Sequence, residues 1–200
     1  MSTGEDLWAA GRGAYEIERD AIGQALSAID PSVFLKAVEV LAAAPRISAS
    51  GCGHSGIACQ HFAHLMCCIE RPALFLTPSD ATHGASGFIQ PGDAVLLASR
   101  GGKTAELLPI LNIAKKKGAT VIAVTENTWS PLAAGADIVL KMSVTRETDR
   151  FNSQGTTSFT VLGVLFHALQ AALIEKTGYQ NEQFALIHPG GAVGQRLNGA

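Results

Sequence analysis

An α/β fold follows from three features of this 200-residue sequence. Short apolar and β-branched runs alternate along the chain with longer stretches whose apolar residues recur every three or four positions, the periods of strands and of helices. One of those runs, DAVLLAS at 93–99, is continuously apolar between Pro91-Gly92 and Gly101-Gly102, as a parallel strand covered on both faces must be. Two strands also run straight into glycine-rich turns that open helices, RISASGCGHSG at 46–56 and SRGGKT at 99–104.

Composition narrows the field. The chain is 47% hydrophobic, enough for a real core in one compact unit, and its formal net charge is only −2. With no basic stripe and no like-charge run, nucleic acid and membrane surfaces are poor partners, and a small polar ligand fits better. The start, MSTGEDLWAAG, lacks the basic and apolar regions of a signal peptide, and no apolar run approaches a bilayer-spanning length, so a cytoplasmic protein is expected. Its four cysteines crowd into 52–68, a pattern that reads as reduced thiols rather than a disulfide framework.

The elements follow in order. Leu7, Tyr15, Ile22, Leu26 and Ile29 recur at helical spacing, predicting an amphipathic helix over 5–29. Asp30-Pro31 then supplies a cap and a first-turn proline for a second helix, which Pro45 ends. The first strand leads to Gly51, Gly53 and Gly56, with the helical pattern starting at Ile57. PALFLT (72–77) is the second strand and PSDATHGASG a polar loop around His83. After the strand at 93–99, a helix over 104–117 ends at Gly118; TVIAVTEN (120–127) is the next strand; Ser130-Pro131 opens a short turn; DIVLKM (137–142) is the last strand. Then VTRETDRFNSQGTTS turns polar and hydroxyl-rich. An apolar helix at 159–176 stops at Gly178, and a short one, NEQFALI, leads into His188-Pro189-Gly190-Gly191.

The glycine turns carry the chemistry. Glycine lets a backbone approach an oxyanion closely, the N–H groups at a helix start point at it, and the helix dipole favours negative charge there. The second turn adds Ser99, Arg100, Lys103 and Thr104 as further donors. GGKT is not a nucleotide-binding P-loop, because position 97, where that motif needs glycine, is Leu. GCGHSG matches G-x-G-x-x-G literally, yet the second strand ends in Thr77-Pro78-Ser79 without the acidic residue a dinucleotide ribose needs. The spacing of His61, His64, Cys67 and Cys68 would put several of them on one helical face, but no distant ligand pair completes a site and no metal is predicted. His83 faces either ligand or solvent.

Taken together, GCGHSG, DATHGASG, SRGGKTAEL, RET followed by TTS, and FALIHPGGAVGQRL resemble the sugar isomerase (SIS) domain, most of all its arabinose 5-phosphate isomerase branch. The resemblance implies a three-layer doubly wound sandwich around a five-stranded parallel sheet. One SIS domain is expected over 1–200, with a helical extension at 1–44 and the α/β core at 45–200. It implies a sugar phosphate as ligand, held by Ser55 and by Ser99 with Thr104; Gly53, His83, Arg100 and Lys103 are further substrate-binding candidates from the residues themselves. It implies no cofactor, and a homodimer or homotetramer with active sites near subunit interfaces. The catalytic set of the branch falls on His54, Glu106, Glu147 and His188.

Moving a carbonyl between C1 and C2 needs ring opening, abstraction of an acidic C–H proton, return of a proton to the neighbouring carbon, and stabilisation of the enediolate. On the resemblance, Glu147 is the C–H base, His188 assists ring opening or shuttles protons between oxygens, Glu106 holds or relays, and His54 stabilises negative charge. The branch usually has Lys at position 54, and a serine and an acidic residue where this chain has Gly101 and Lys103. Histidine carries its charge only part of the time near neutral pH. Long members continue into a pair of CBS domains; this sequence stops at Ala200, so a SIS domain without them is expected. A non-catalytic phosphosugar sensor is the alternative function.

Overall fold

The computed structural model describes residues 2–199. Thr3 caps α1 (Gly4–Ala28) by accepting the Asp6 N–H, while the Asp6 carboxylate takes the Thr3 N–H at 2.8 Å. Asp30 accepts the Ser32 N–H at 2.8 Å and starts α2 (Pro31–Ala43). Strands β1 (Ile47–Gly51), β2 (Ala73–Phe75), β3 (Ala94–Ala98), β4 (Thr120–Thr125) and β5 (Ile138–Lys141) follow. Between them lie α3 (Gly53–Cys67), α4 (Pro78–Ala81), α5 (Leu107–Lys116) and α6 (Pro131–Gly135). The long α7 (Thr156–Thr177) and the short α8 (Asn181–Ile187) and α9 (Gly191–Leu197) complete the described chain.

All five strands are parallel, in the order β2-β1-β3-β4-β5. Successive strand residues point to opposite faces, and the core divides accordingly. Ala94, Leu96 and Ala98 of β3, with Ile122 and Val124 of β4, join residues of α1, α2, α3 and α7. Val95 and Leu97, with Val121 and Ala123, join Leu107, Ile110 and Leu111 of α5 and Leu132 of α6. This is the three-layer doubly wound sandwich the sequence predicts. On the first face Phe62 and Phe166 pack with ring centroids 4.7 Å apart and fasten α3 to α7.

From β1 the chain steps outward to β2, then returns past β1 to β3 and runs on to β4 and β5. The direction of winding reverses at β1 and β3, so the loops leaving their C-terminal ends diverge and open a crevice, the place where such sheets receive ligands.

Several boundaries differ from expectation. The helix expected from Ile57 starts at Gly53, because Gly56 is not part of the turn but sits in the first turn of α3 against the end of β1. A Cβ on Gly56 would lie 2.6 Å from the Gly51 carbonyl oxygen, and one on Gly51 would lie 2.8 Å from the Ser55 backbone. Conversely α5 starts three residues late, at Leu107, leaving Thr104 irregular and Ala105 and Glu106 as turn. The loop around His83 is folded into α4 and a 3-10 turn at Ala85–Phe88, and α9 is an unforeseen helix. One expectation needs correction outright: α7, at 22 residues and mean hydropathy 1.7 over its most apolar window, is long and apolar enough to cross a bilayer. Its Val161, Leu162, Leu165, Phe166, Leu169 and Leu173 are instead buried against the sheet and neighbouring helices.

The tight seat of Gly56 yields a stability prediction. Gly56→Ala should lower the unfolding free energy by about 1–3 kcal/mol, because backbone rather than a flexible side chain must move. The check is a lower urea midpoint at unchanged slope; an unchanged midpoint would mean that α3 does not need this contact.

Candidate functional site

Three loops meet at the C-terminal edge of the sheet: β1 to α3, β3 to α5, and β5 to α7. The first is short. Cys52 occupies the N-cap of α3 with no side-chain capping bond, and the first helical bond near the turn runs from Gly56 N–H to the Cys52 carbonyl at 3.2 Å. The N–H groups of Gly53, His54 and Ser55 therefore lack i−4 partners within the helix. They border an open crevice of ≈ 390 Å³ lined by Gly51, Cys52, Gly53, Thr77, Ser79 and Glu106.

Glu106 is exposed, at the N-cap of α5, and makes no capping bond. Its carboxylate acts on the neighbouring thiol: burial first, and the Glu106 charge second, push the Cys52 thiol up from its ordinary range. That shift disfavours the thiolate, the reactive form of the group. Cys59 is pushed up further by burial. All four cysteines are free.

The second loop is built around hydroxyls. Ser99 Oγ and Thr104 Oγ1 are 2.8 Å apart, and Ser99 Oγ also accepts the Gly102 N–H at 3.1 Å. Gly102 has φ +64 and lies so close to Ser130 that no side chain fits there. The loop has to be glycine at that point. Lys103 stands exposed beside it.

Arg100 departs from its expected role. Its Nε donates to Glu126 at 2.9 Å, its Nη1 to Glu147 at 2.6 Å and its Nη2 to the Val144 carbonyl at 3.0 Å. The guanidinium is occupied by two carboxylates and is not presented to a phosphate. It ties the β3, β4 and β5 loops together, helped by Val144 N–H to Glu126 at 3.1 Å and Glu126 N–H to the Arg100 carbonyl at 3.0 Å.

Glu147 is 1% exposed. Beyond Arg100, its second carboxylate oxygen accepts the Ser158 N–H at 3.1 Å, in the first turn of α7, and lies 3.4 Å from the Thr156 hydroxyl. A carboxylate at a helix N-terminus is favoured by the dipole. Both oxygens are engaged, which is the geometry of a residue that holds a loop and a helix in place and not that of an open C–H base. The preceding loop is ordered locally: Asn152 accepts the Glu147 N–H at 2.6 Å, and Asp149 accepts N–H groups of Phe151, Ser153 and Gln154.

His54 sits on the other side of the α3 start. Its Nδ1 is 3.0 Å from the Gly155 carbonyl, and its ring meets Phe159 edge-on at 6.3 Å. A carbonyl oxygen only accepts, so Nδ1 carries the proton of this bond and Nε2 is left for a ligand. The same bond joins the β1–α3 loop to the N-terminus of α7, next to Glu147.

Two expected residues lie elsewhere. His83 is exposed after α4, its N–H bonded to the Asp80 carbonyl, and does not line the crevice. His188 follows α8, and Gln183 of α8 donates to Glu70 at 2.7 Å, just past the far end of α3. Five helical residues, about 7.5 Å, separate Gln183 from His188, whereas about 20 Å of α3 separates His54 from Cys67. Within one chain, His188 belongs to the opposite end of the sheet. Its Nδ1 is buried without a hydrogen-bond partner and its ring lies against Phe184 at 4.9 Å. Sequence reasoning missed Glu126, Asn152 and Asp149; the Asp-x-x-Asn spacing in DRFN was the available signal for the last two.

A family profile described as SIS domain matches residues 40–172. Arabinose 5-phosphate isomerase KdsD of Pseudomonas aeruginosa is 39% identical over 198 residues, covering 98% of this chain and 60% of that protein. The KdsD protein of Escherichia coli K12 is 29% identical over 197 residues. The chain thus spans about 60% of the length of these curated relatives. Among solved structures, a Listeria monocytogenes protein assigned provisionally as a sugar-phosphate isomerase superposes with TM-score 0.92 at 39% identity, covering 95% of this chain and 100% of that one. An Escherichia coli CFT073 protein in complex with arabinose 5-phosphate superposes with TM-score 0.88 at 29% identity, covering 94% and 100%.

Arg100→Met keeps the side-chain stem and removes the cation that compensates buried Glu147. It should cost about 3 kcal/mol, read by urea unfolding, and Glu147→Gln in the same background should recover part of that loss. A loss under about 1 kcal/mol would show that the pair holds little.

Proposed function

The chain belongs to the SIS domain family, and on that premise we propose that it is an aldose-ketose isomerase of a sugar phosphate working through an enediol at the C-terminal edge of its sheet. The observation that carries this is Glu106: an unengaged carboxylate on the wall of an open crevice, beside the free N–H groups of α3.

The phosphate is held by the N–H groups at the start of α3 with Ser55, and by the Ser99 and Thr104 hydroxyls, with Lys103 supplying positive charge. Glu106 removes the proton next to the carbonyl and returns it to the neighbouring carbon, the task first expected of Glu147. An exposed carboxylate can approach and leave a C–H bond, whereas one clamped by a guanidinium and a helix start cannot. Glu147 positions Arg100 and α7. His54, with Nδ1 fixed on the Gly155 carbonyl, directs Nε2 toward the enediolate oxygens. Where the branch has a lysine, His54 must first take up a proton before it can stabilise that charge.

His188 opens the sugar ring from a second copy of the chain. Three observations support this. The α8–α9 segment lies at the wrong end of its own sheet, it exposes Leu186 (78%), Ile187 and Val193, and His188 keeps a buried Nδ1 without a partner. Further apolar surface for assembly lies on α1, where Leu7, Trp8, Tyr15 and Leu26 are all exposed.

Two experiments test the proposal. Pentose and hexose phosphates incubated with the protein in heavy water should show interconversion and loss of the proton next to the carbonyl by NMR. Glu106→Gln should abolish that exchange and retain phosphosugar binding by thermal shift. Exchange that survives in Glu106→Gln but not in Glu147→Gln would return the base to Glu147, and binding without exchange across the panel would make this a phosphosugar sensor. Separately, mixing the inactive Glu106→Gln and His188→Gln variants should restore a fraction of activity, because one site in the mixed oligomer is intact. No recovery after subunit exchange would place both residues in one chain's site.

A further inference from the structure

Away from the crevice, on the outer face formed by α3 and α7, two histidines meet. His61 Nε2 lies 3.0 Å from His167 Nε2, with the rings at 89° and their centroids 5.3 Å apart. We propose that His61 and His167 form a chelating site for a divalent transition ion of the copper and nickel type. This goes beyond the isomerase reading and does not depend on it.

Geometry selects the ion. A metal bound at about 2.0–2.1 Å from each imidazole nitrogen, with those nitrogens 3.0 Å apart, closes an angle of about 95°. That is the cis angle of tetragonal or octahedral coordination, favoured by Cu2+ and Ni2+, and narrower than the tetrahedral angle of structural zinc. Hard cations such as Mg2+ prefer oxygen donors and are not expected here. The two rings share one proton along the Nε2 axis in the free protein. For the ion to enter, the donating ring shifts that proton to Nδ1 by way of the water both exposed residues meet, and the two rings turn so that their Nε2 lone pairs converge on the ion instead of on each other.

The ligands are held in advance. His61 and His167 belong to helices fastened by the Phe62–Phe166 contact and by the Gln170 amide, which donates to the Leu65 carbonyl at 2.9 Å. Neither partner has to be gathered from a loop, so little ordering opposes binding. Space for the rest of the coordination sphere is present as well. A groove of ≈ 380 Å³ adjoins the pair, lined by Ala58, Phe159, Thr160, Gly163 and Val164. Ala58 and Gly163, each about one turn ahead of a ligand, keep the approach clear; a Cβ at Gly163 would meet nothing within 4 Å. Among the described residues no third His, Cys, Asp or Glu completes the set, and His64 turns instead to Cys68 Sγ at 3.5 Å. Water fills the remaining positions.

The test is titration of chelator-stripped protein with Cu2+ and Ni2+ by calorimetry, with electron paramagnetic resonance on the copper form. The expected result is a high-affinity ion per chain, weakened at least tenfold by either His61→Gln or His167→Gln and no further by the double variant, since either change destroys the chelate. His64→Gln and His83→Gln should leave the affinity unchanged. Wild-type affinity in both chelate variants, or loss on changing His64 or His83 instead, overturns the site. Should a variant fail to fold, pulsed resonance on the wild-type copper form decides: two coupled imidazoles support the site, and one or none refutes it.

Discussion

A carboxylate buried without a cation does not persist in a protein interior, and the loops of this domain are arranged around that constraint. Glu147 is covered almost completely. Its charge is met by Arg100 and by the first turn of α7, so Arg100 must reach across from the end of β3 and its guanidinium must be aligned by Glu126 at the end of β4. Three loops on three strands are thereby set in one register. Glu106, the carboxylate on the crevice wall, is left out of that clamp. On the proposed reading the division of labour is physical: Glu147 and Glu126 are immobilised to hold, while Glu106 is exposed to react.

The same clamp bears on ligand choice. A loop holding Arg100 and Lys103 reads in sequence as doubly basic, but Arg100, its side chain 36% exposed, is engaged by Glu126 and Glu147, which leaves Lys103 as the loop's cation without a carboxylate partner among the described residues. On the proposed reading, neutral donors, two hydroxyls and the N–H groups at the α3 start, are then the main phosphate contacts. They can lie close to an oxyanion because Gly51 and Gly56 let the first turn of α3 sit directly on the end of β1. The glycines of the motif thus act through close packing of strand on helix, and only Gly53, with φ +55, also uses its conformational freedom.

What was legible in the sequence was what depends on neighbours along the chain. The five strands stood out as apolar runs because parallel strands are covered on both sides, and Asp30-Pro31 and Gly178 marked helix ends through local chemistry. What was not legible depends on separation. Arg100 meets partners 26 and 47 residues away, so its charge looked free. His167 lies 106 residues from His61 and inside an apolar run, where a lone histidine carries no visible signal. The α3 start was misplaced because Gly56 reads as a turn residue until the strand it packs against is known. Helix α9 was hidden by the Pro189-Gly190-Gly191 entry, whose glycines read as loop although Gly191, at φ +71, opens a helix.

His188 shows how far from the crevice its own chain can leave an expected site residue. Its surrounding motif was the most specific in the chain, yet α7 carries the chain from the crevice to the opposite end of the sheet, about 33 Å for 22 residues of helix. The chain does not turn back far enough afterwards, since α8 is bonded to Glu70 at that end. A buried imidazole nitrogen without a partner is costly by itself, and so is apolar surface on a segment as short as α8, which has no buried residue of its own. Both costs are relieved together if the segment docks on another copy and delivers the histidine to that copy's crevice. Assembly would then be a condition of catalysis rather than an addition to it, because a lone chain would hold the base and the phosphate cradle at one end and the ring-opening group at the other.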